Sequence, residues 1–580
     1  MNKSILIHNN NLTLTLFEFE NRIKFNEEDN IDEYISLKII PLLKNKDFNL
    51  IFIKDNLSEN YLELLGLRVA YHIRLSTELK DKRFLPIVII SDIDSHILNK
   101  LEPMARILFT KNIFIIPNSN EIIKQYQNKK YNNLTHIEYQ NKFLNKIQVK
   151  APKDYLSHHS IANKWAMYKW AKELKLSDSD KINNLIKELS TQLYFKYIKE
   201  KNSILDDGNI SAIPKKLATK KMQIQRKEVE KKKVLYIDDE HHKGWDDIFK
   251  AFFSKKRGYE FESLDITEKD NNFSHIEKSI FAMIEDIKKR PDLIILDMRL
   301  VDNDHKKDTH PKDISGIRIL NAIKDISNTT KSNPGIQVIM LTASGRSDIL
   351  DEALKDNKIV GYIKKEHPED ITINTKDNIE KLKQFIELSE ENFYLKEVWD
   401  IQYSSILNLD IFSDTKFNQI KVEVSFIFNI LNSTIENKLK ICMLTIYKIL
   451  EIIRDLYIDD KTNTFLDNNT EIRAIYSKDD RYVAYLKNDF INGRNQGYHY
   501  LESKNAQKYY YSTNNKICAI SYEKLSIRDT HIYANIKTIN EKRNNYIHPP
   551  KQNMEIDVSK NEIIEWLKML EVILSKIGEK

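Results

Sequence analysis

Short apolar runs, SILIH, NLIFI, LPIVII and NIFIIP, recur through the first 120 residues and alternate with helical patterns such as YLELLGLRVAYHIRL. Apolar runs that alternate with segments of helical period predict buried parallel strands connected by helices, so residues 1–125 are read as one α/β domain. YLSHHSIANKWAMYKWAKELKL and KINNLIKELSTQLYFKYIKEK then carry helical periodicity without a strand signal. A polar stretch from Asn202 to Lys233 ends in RKEVEKKK, which makes residues 126–230 a helical connector and linker. KVLYIDDE opens a second α/β unit over residues 231–388. Beyond it, FNQIKVEVSFIFNILNSTIENKLKICMLTIYKILEIIRDLYI and EIIEWLKMLEVILSKI predict a helical domain over residues 389–580. The fold class is multidomain: doubly wound parallel α/β sheets followed by an all-α C-terminal domain.

Composition changes this picture little. With 41% hydrophobic residues in 580, the chain has enough apolar material for several cores. The 91 basic and 85 acidic side chains nearly balance at a net charge of +6, which neither requires nor excludes a nucleic-acid partner. Two cysteines, Cys442 and Cys518, are too few for a disulfide framework and suit a reducing compartment. No stretch approaches the roughly 20 apolar residues of a membrane span, so a cytoplasmic location without a membrane partner is expected.

In an open parallel sheet, ligands bind beyond the carboxyl ends of the strands. In the second unit, VLYI ends in Asp238-Asp239, DLIIL in Asp297 and VIML in Thr342, while VGYI leads to Lys364-Lys365. Any one of these carboxylates alone reads as a cap or turn residue. The ordered set reads as a pocket in which three carboxylates, Asp238, Asp239 and Asp297, hold Mg²⁺ and a lysine neutralises a phosphoryl group.

The order of acid pair, Asp, Thr and Lys, each at a strand end, resembles the receiver domain of two-component response regulators over roughly 140 residues. That resemblance implies phosphorylation of Asp297, Mg²⁺ on the acid pair, and switch and phosphate-binding roles for Thr342, Tyr362 and Lys365. It places Arg299 and Ser344 at positions that tune dephosphorylation. A histidine kinase or phosphotransfer protein is the implied partner. Two departures are Glu366, where proline is usual, and the lengthened loop DNDHKKDTHPKDI before Gly316. Residues 1–120 have the same rhythm, but SILI leads to His8-Asn9-Asn10 and NIFII to Pro117, so this unit looks like a pseudo-receiver with Asp55 as a surface turn residue. His158-His159 resembles no phosphotransfer motif and is read as capping or packing, with Trp165 and Trp170 as packing residues.

In the helical domain, NEKRNNYIHPP contains Arg543, Asn544 and His548. An arginine can bind a phosphodiester while a histidine titrating near neutrality moves protons, the two functions that metal-independent RNA cleavage needs. The arrangement resembles the HEPN superfamily, which implies a ribonuclease site assembled across a homodimer. Alternatively Arg543 pairs with an acid and His548 caps a helix. Lys504, Lys508 and Lys516 in a Tyr-rich segment either contact unpaired RNA or belong to a loop. The expectation is a response-regulator-like protein whose receiver controls a HEPN-like ribonuclease in stress response or anti-phage defence. The alternative is a non-catalytic phospho-switched binding or adaptor protein, or a phosphate sink.

Overall fold

The structure is a computed structural model describing residues 3–9, 19–60, 63–152, 158–176, 179–206, 231–266, 273–305, 309–325, 332–343, 358–370, 373–462, 464–467, 472–476, 481–486, 490–491, 494–495, 499–502, 513–527, 529–548 and 557–579. Two five-stranded parallel sheets dominate its first two thirds. In the first, β1 (Ser4–His8), β2 (Asn21–Lys24), β3 (Leu50–Lys54), β4 (Ile87–Ile90) and β5 (Ile113–Ile116) lie in the order β2-β1-β3-β4-β5. In the second, β6 (Lys232–Ile237), β7 (Tyr259–Ser263), β8 (Leu293–Asp297), β9 (Gln337–Thr342) and β10 (Gly361–Lys364) repeat that order as β7-β6-β8-β9-β10. Central strands such as LIFIK and LIILD are buried on both faces, as expected of β-branched and leucine-rich runs between helical layers. The edge strands NRIK and YEFES alternate polar and apolar residues, and the chain's apolar runs do not reveal them.

A shared backbone contact marks the repeat. The Gly66 amide donates to the Asp55 carbonyl at 2.9 Å, and the Gly316 amide to the Met298 carbonyl at 3.1 Å. A Cβ on Gly66 would collide with the Lys54 carbonyl, and one on Gly316 with that of Asp297, so each glycine lets a helix start press against the loop after the third strand of its sheet.

The connector is packed rather than extended. Trp165, Ala166, Trp170 and Ala171 of the His158–Glu173 helix are buried in one apolar cluster with residues of both sheets, from Ile5 to Phe393. Asp32 accepts from Arg68 Nε at 2.6 Å, His72 Nε2 at 2.8 Å and the Leu193 amide at 3.0 Å, tying the Leu193–Asp206 helix to the first unit. Glu200 accepts from Arg83 at 2.8 Å and from the Tyr139 hydroxyl at 3.1 Å.

The C-terminal helices Tyr394–Leu407, Thr415–Leu431, Lys438–Tyr457, Thr530–Ile547 and Lys560–Gly578 enclose a separate core that includes Trp399, Phe428, Trp566 and both cysteines. Lys396 Nζ pairs with Asp292 at 2.5 Å, Arg290 pairs with Asp400, and Trp399 Nε1 donates to the Ser332 carbonyl at 3.2 Å. These contacts attach the helices at the amino ends of β8 and β9. Antiparallel strands Ile472–Tyr476, Arg481–Leu486 and His499–Glu502 interrupt the helices, the last lying inside the Tyr-rich segment. Lys504 and Lys508 lie outside the described residues, and Lys516 is buried against Asp460. Among the described residues no helix is long and apolar enough to cross a membrane.

Candidate functional site

The carboxyl ends of β6, β8 and β10 bring Asp238, Asp297 and Lys365 together, and all three side chains are fully buried. Lys365 Nζ lies 3.0 Å from Asp238 Oδ2 and 2.7 Å from Asp297 Oδ1. Its amide donates to the Thr342 carbonyl at 2.6 Å, which fixes β10 against β9 at the rim. Tyr236 Oη donates to Asp238 Oδ2 at 2.6 Å and the Glu240 amide to Asp238 Oδ1 at 2.7 Å, while the Arg299 amide donates to Asp297 Oδ2 at 3.0 Å. Thr342 is buried beside Met298, and Tyr362 is half-buried on β10. Ser344 lies outside the described residues.

The electrostatics follow from burial and from Lys365. Burial works against ionisation of Asp238, but Lys365, Tyr236 and the Glu240 amide outweigh it and hold its carboxyl below the ordinary range. For Asp297, burial prevails over Lys365, with the charge of Asp238 adding to the rise. Lys365 is disfavoured by burial yet held above its usual value by Asp238 and Asp297. For Asp239, burial, then Asp238, Asp297 and Glu240, outweigh Lys365 and push it up to about 8.

The expected Mg²⁺ site of Asp238, Asp239 and Asp297 is corrected by this arrangement. Among the described residues no group of three or more His, Cys, Asp or Glu side chains is placed to hold a metal ion. Lys365 supplies the positive charge between Asp238 and Asp297, and burial together with the neighbouring carboxylates raises the third carboxyl, Asp239.

The connector contacts the loops that flank this cluster. Trp170 Nε1 donates to Glu366 Oε1 at 3.0 Å and Oε2 at 3.1 Å, so the glutamate that departs from the receiver pattern is a buried acceptor for a connector tryptophan. Asn163 donates to Glu240 and accepts from Trp245 Nε1 at 3.3 Å; Lys365 Nζ lies 5.4 Å from the Trp245 ring centroid. Asp304, within the lengthened loop, is buried and accepts from the amides of Leu300 and Ser315, both at 3.1 Å. Glu366 was legible as a departure; Tyr236, Trp245, Asn163 and Asp304 carried no sequence signal. The His158 and His159 side chains lie outside the described ones.

In the first unit, strand register and the glycine contact put Lys54 where Asp297 stands in the second, and Asp55 one position later, where Met298 stands. Asp55 is buried, not a surface turn residue as expected, and it accepts from the Asn56 amide at 2.7 Å. Burial raises its carboxyl above the ordinary range, against a hydrogen bond from Ser91. Asn9 and Ser91 lie at neighbouring strand ends, and Pro117 follows β5, so no lysine from that strand end serves this carboxylate.

At the other end of the chain, Arg543 lies over the Tyr447 ring at 4.8 Å, within 4.0 Å of Glu451, and donates to Asn544 Oδ1 at 3.0 Å. His548 caps the Thr530–Ile547 helix and is exposed; its amide donates to the Asn544 carbonyl at 2.8 Å. Among the described residues no hydrogen bond joins Arg543 to His548.

No curated protein matches the chain. The family match falls on the first unit and overturns the expectation of a phosphorylation-driven response regulator bound to Mg²⁺. It extends no support to a HEPN ribonuclease or an anti-phage output, since nothing in it reaches residues 389–580. Residues 2–116 match the family described as an Inactive Receiver domain (iREC).

Proposed function

We propose that the chain is a non-catalytic adaptor, in which receiver-like units act as a scaffold for contacts and the helical unit presents a surface to a protein partner. The observation that carries this reading is the match of residues 2–116 to an inactive receiver family. The second unit adds a contact of this kind: the connector binds the loops beside Asp238 and Lys365 through Asn163 to Glu240 and Trp170 to Glu366. In this reading the chain divides into units 1–125, 126–230, 231–388 and 389–580. Val422 and Phe426, one helical turn apart, are 66% and 50% exposed, an apolar pair suited to a protein partner. Arg543, Asn544 and His548 are assigned to the surface of that unit.

The test is incubation of the full chain with a small phosphodonor and Mg²⁺, followed by intact mass measurement, alongside incubation with total RNA. The expected result is an unmodified mass and intact RNA. A phosphoryl adduct on the wild type that is absent from Asp297→Asn, or RNA cleavage lost in His548→Ala, would overturn the reading.

A further inference from the structure

The near balance of charge over the whole chain conceals a local excess. Residues 100–150 carry nine basic and three acidic side chains, a net charge of +6 that equals the net charge of all 580 residues. All nine cations are exposed. Glu138 pairs with two of them, Lys111 and, at 3.7 Å, Lys142. Among the described residues, Lys100, Arg106, Lys130, Lys146 and Lys150 have no carboxylate partner. The helical unit differs, since Lys421, Lys448 and Lys542 meet Asp410, Glu423 and Glu562. A surface that interleaves both signs cancels its own field, whereas a single-sign surface attracts polyanions. The linker from residue 215 to 233 is also basic, with nine cations and two acids, and residues 207–230 lie outside the described ones.

Folding gathers the cations of residues 100–150 beside the edge strand β5. The helical turn Pro103–Phe109 leads into that strand, and the Asn120–Asn128 helix follows it. Ahead of β5 the Lys111 amide donates to the Lys142 carbonyl at 3.3 Å, and Asn112 Nδ2 donates to the Asn132 carbonyl at 2.6 Å. Arg106 donates to Gln148 Oε1 at 3.4 Å. These contacts set Arg106, Lys111, Lys130, Lys142 and Lys146 along one surface. Phe109 stands among them, 46% exposed, with its ring centroid 5.6 Å from that of the exposed His96. The side chains of Asn133, Asn141 and Asn145 are exposed between the cations. Amides offer donors and acceptors to base edges as well as to phosphate, which suits a nucleic acid better than a lipid headgroup layer.

We propose that this surface binds single-stranded nucleic acid, its cations on successive phosphates and Phe109 stacked on an unpaired base. A duplex presents the same phosphates but keeps its bases stacked on one another, so it offers Phe109 no partner. The site goes beyond the adaptor reading and does not rest on it.

Fluorescence anisotropy of the full chain with labelled strands of about 20 nucleotides tests the assignment, with RNA and DNA as separate arms to distinguish the sugars. Contact with about five phosphates gives a slope near −3.5 in log affinity against log salt, so raising salt from about 50 to 200 mM should weaken binding roughly 100-fold. Reversing three unpaired cations together, Arg106→Glu, Lys130→Glu and Lys146→Glu, should lower the slope by about two and cut affinity at least roughly tenfold. Phe109→Ala should weaken binding at least about fivefold at an unchanged slope, and Phe109→Trp should restore it. Wild-type affinity in the triple variant would overturn the proposal by placing the contact elsewhere, the basic linker included. Equal affinity for a duplex of the same length would overturn the single-stranded assignment. Binding to phosphatidylserine vesicles with none to either strand would identify a lipid surface instead.

Discussion

Lys365 sets the balance of charge at the end of the second sheet, because one ammonium faces two buried carboxylates with which it forms ion pairs. Removing one partner of a buried pair leaves the others uncompensated, and Lys365→Met should cost about 3–5 kcal/mol of stability in urea unfolding at pH 7. A cost below about 1 kcal/mol would show that the carboxylates are neutral in the folded chain. Asp239 responds to pH in the opposite sense to a salt-bridged acid. Its folded value, pushed up to about 8, lies above the unfolded value, so the folded chain keeps a proton that the unfolded chain releases. Stability is therefore lost as pH rises from about 4 towards 8, and below that window the group contributes nothing. Asp239→Asn should flatten that decline and raise stability at pH 7 by roughly 1–4 kcal/mol, checked by urea titrations at pH 5, 6, 7 and 8. At this scale the sequence disclosed the residues of the cluster by their places after strands. It did not disclose their pairing: strand ends identify neighbours, whereas Lys365 reaches across 68 positions to Asp297.

At the scale of elements, the His158–Glu173 helix links both loops that flank the cluster, through Asn163 to Glu240 and through Trp170 to Glu366. Burial raises the Glu366 carboxyl, and the Trp170 indole is among the groups that counter this. Trp170→Phe keeps most of the packing and deletes the donor, so it should cost about 1–3 kcal/mol. Hydrogen exchange should then quicken in residues 158–173 and at the end of β10; unchanged protection would mean that packing alone holds the connector. The helical periodicity of the connector was plain in its sequence. Its partners were not, because the Trp170–Glu366 contact spans 196 positions and nothing in a local pattern encodes it. The same limit applies to Asp55, whose place in a turn was legible while its burial depended on the residues packed around it.

Across the whole molecule, one apolar cluster from Ile5 to Phe393 spans one face of both sheets, the other face of each sheet has a cluster of its own, and a fourth runs from Leu395 to Ile577. The two sheets and the connector should therefore unfold together, since the first of these clusters joins them. Ile53→Ala, a fully buried position in the first sheet, should cost about 2–5 kcal/mol and lower the thermal transition of the second unit as well. Mass spectrometry of pulse-labelled amides in β8 would follow that transition; a second unit unaffected by the substitution would show independent folding. The cluster of Asp238, Asp297 and Lys365 lies at the carboxyl ends of the strands, whereas Asp292, Asn333 and Gly335, against which the C-terminal helices dock, precede β8 and β9. A strand of five residues separates the two ends by about 16 Å, so the cluster and the helices touch the same sheet without touching each other. By itself the sequence determined the central strands, the α/β-then-helical order, and the candidate residues at strand ends, because hydrophobic period and strand-end position are local properties. Only the tertiary structure decided that one lysine pairs with both Asp238 and Asp297, that the connector packs into one apolar cluster with both sheets, and where the helices attach, because each depends on burial and charge shared among residues far apart in the chain.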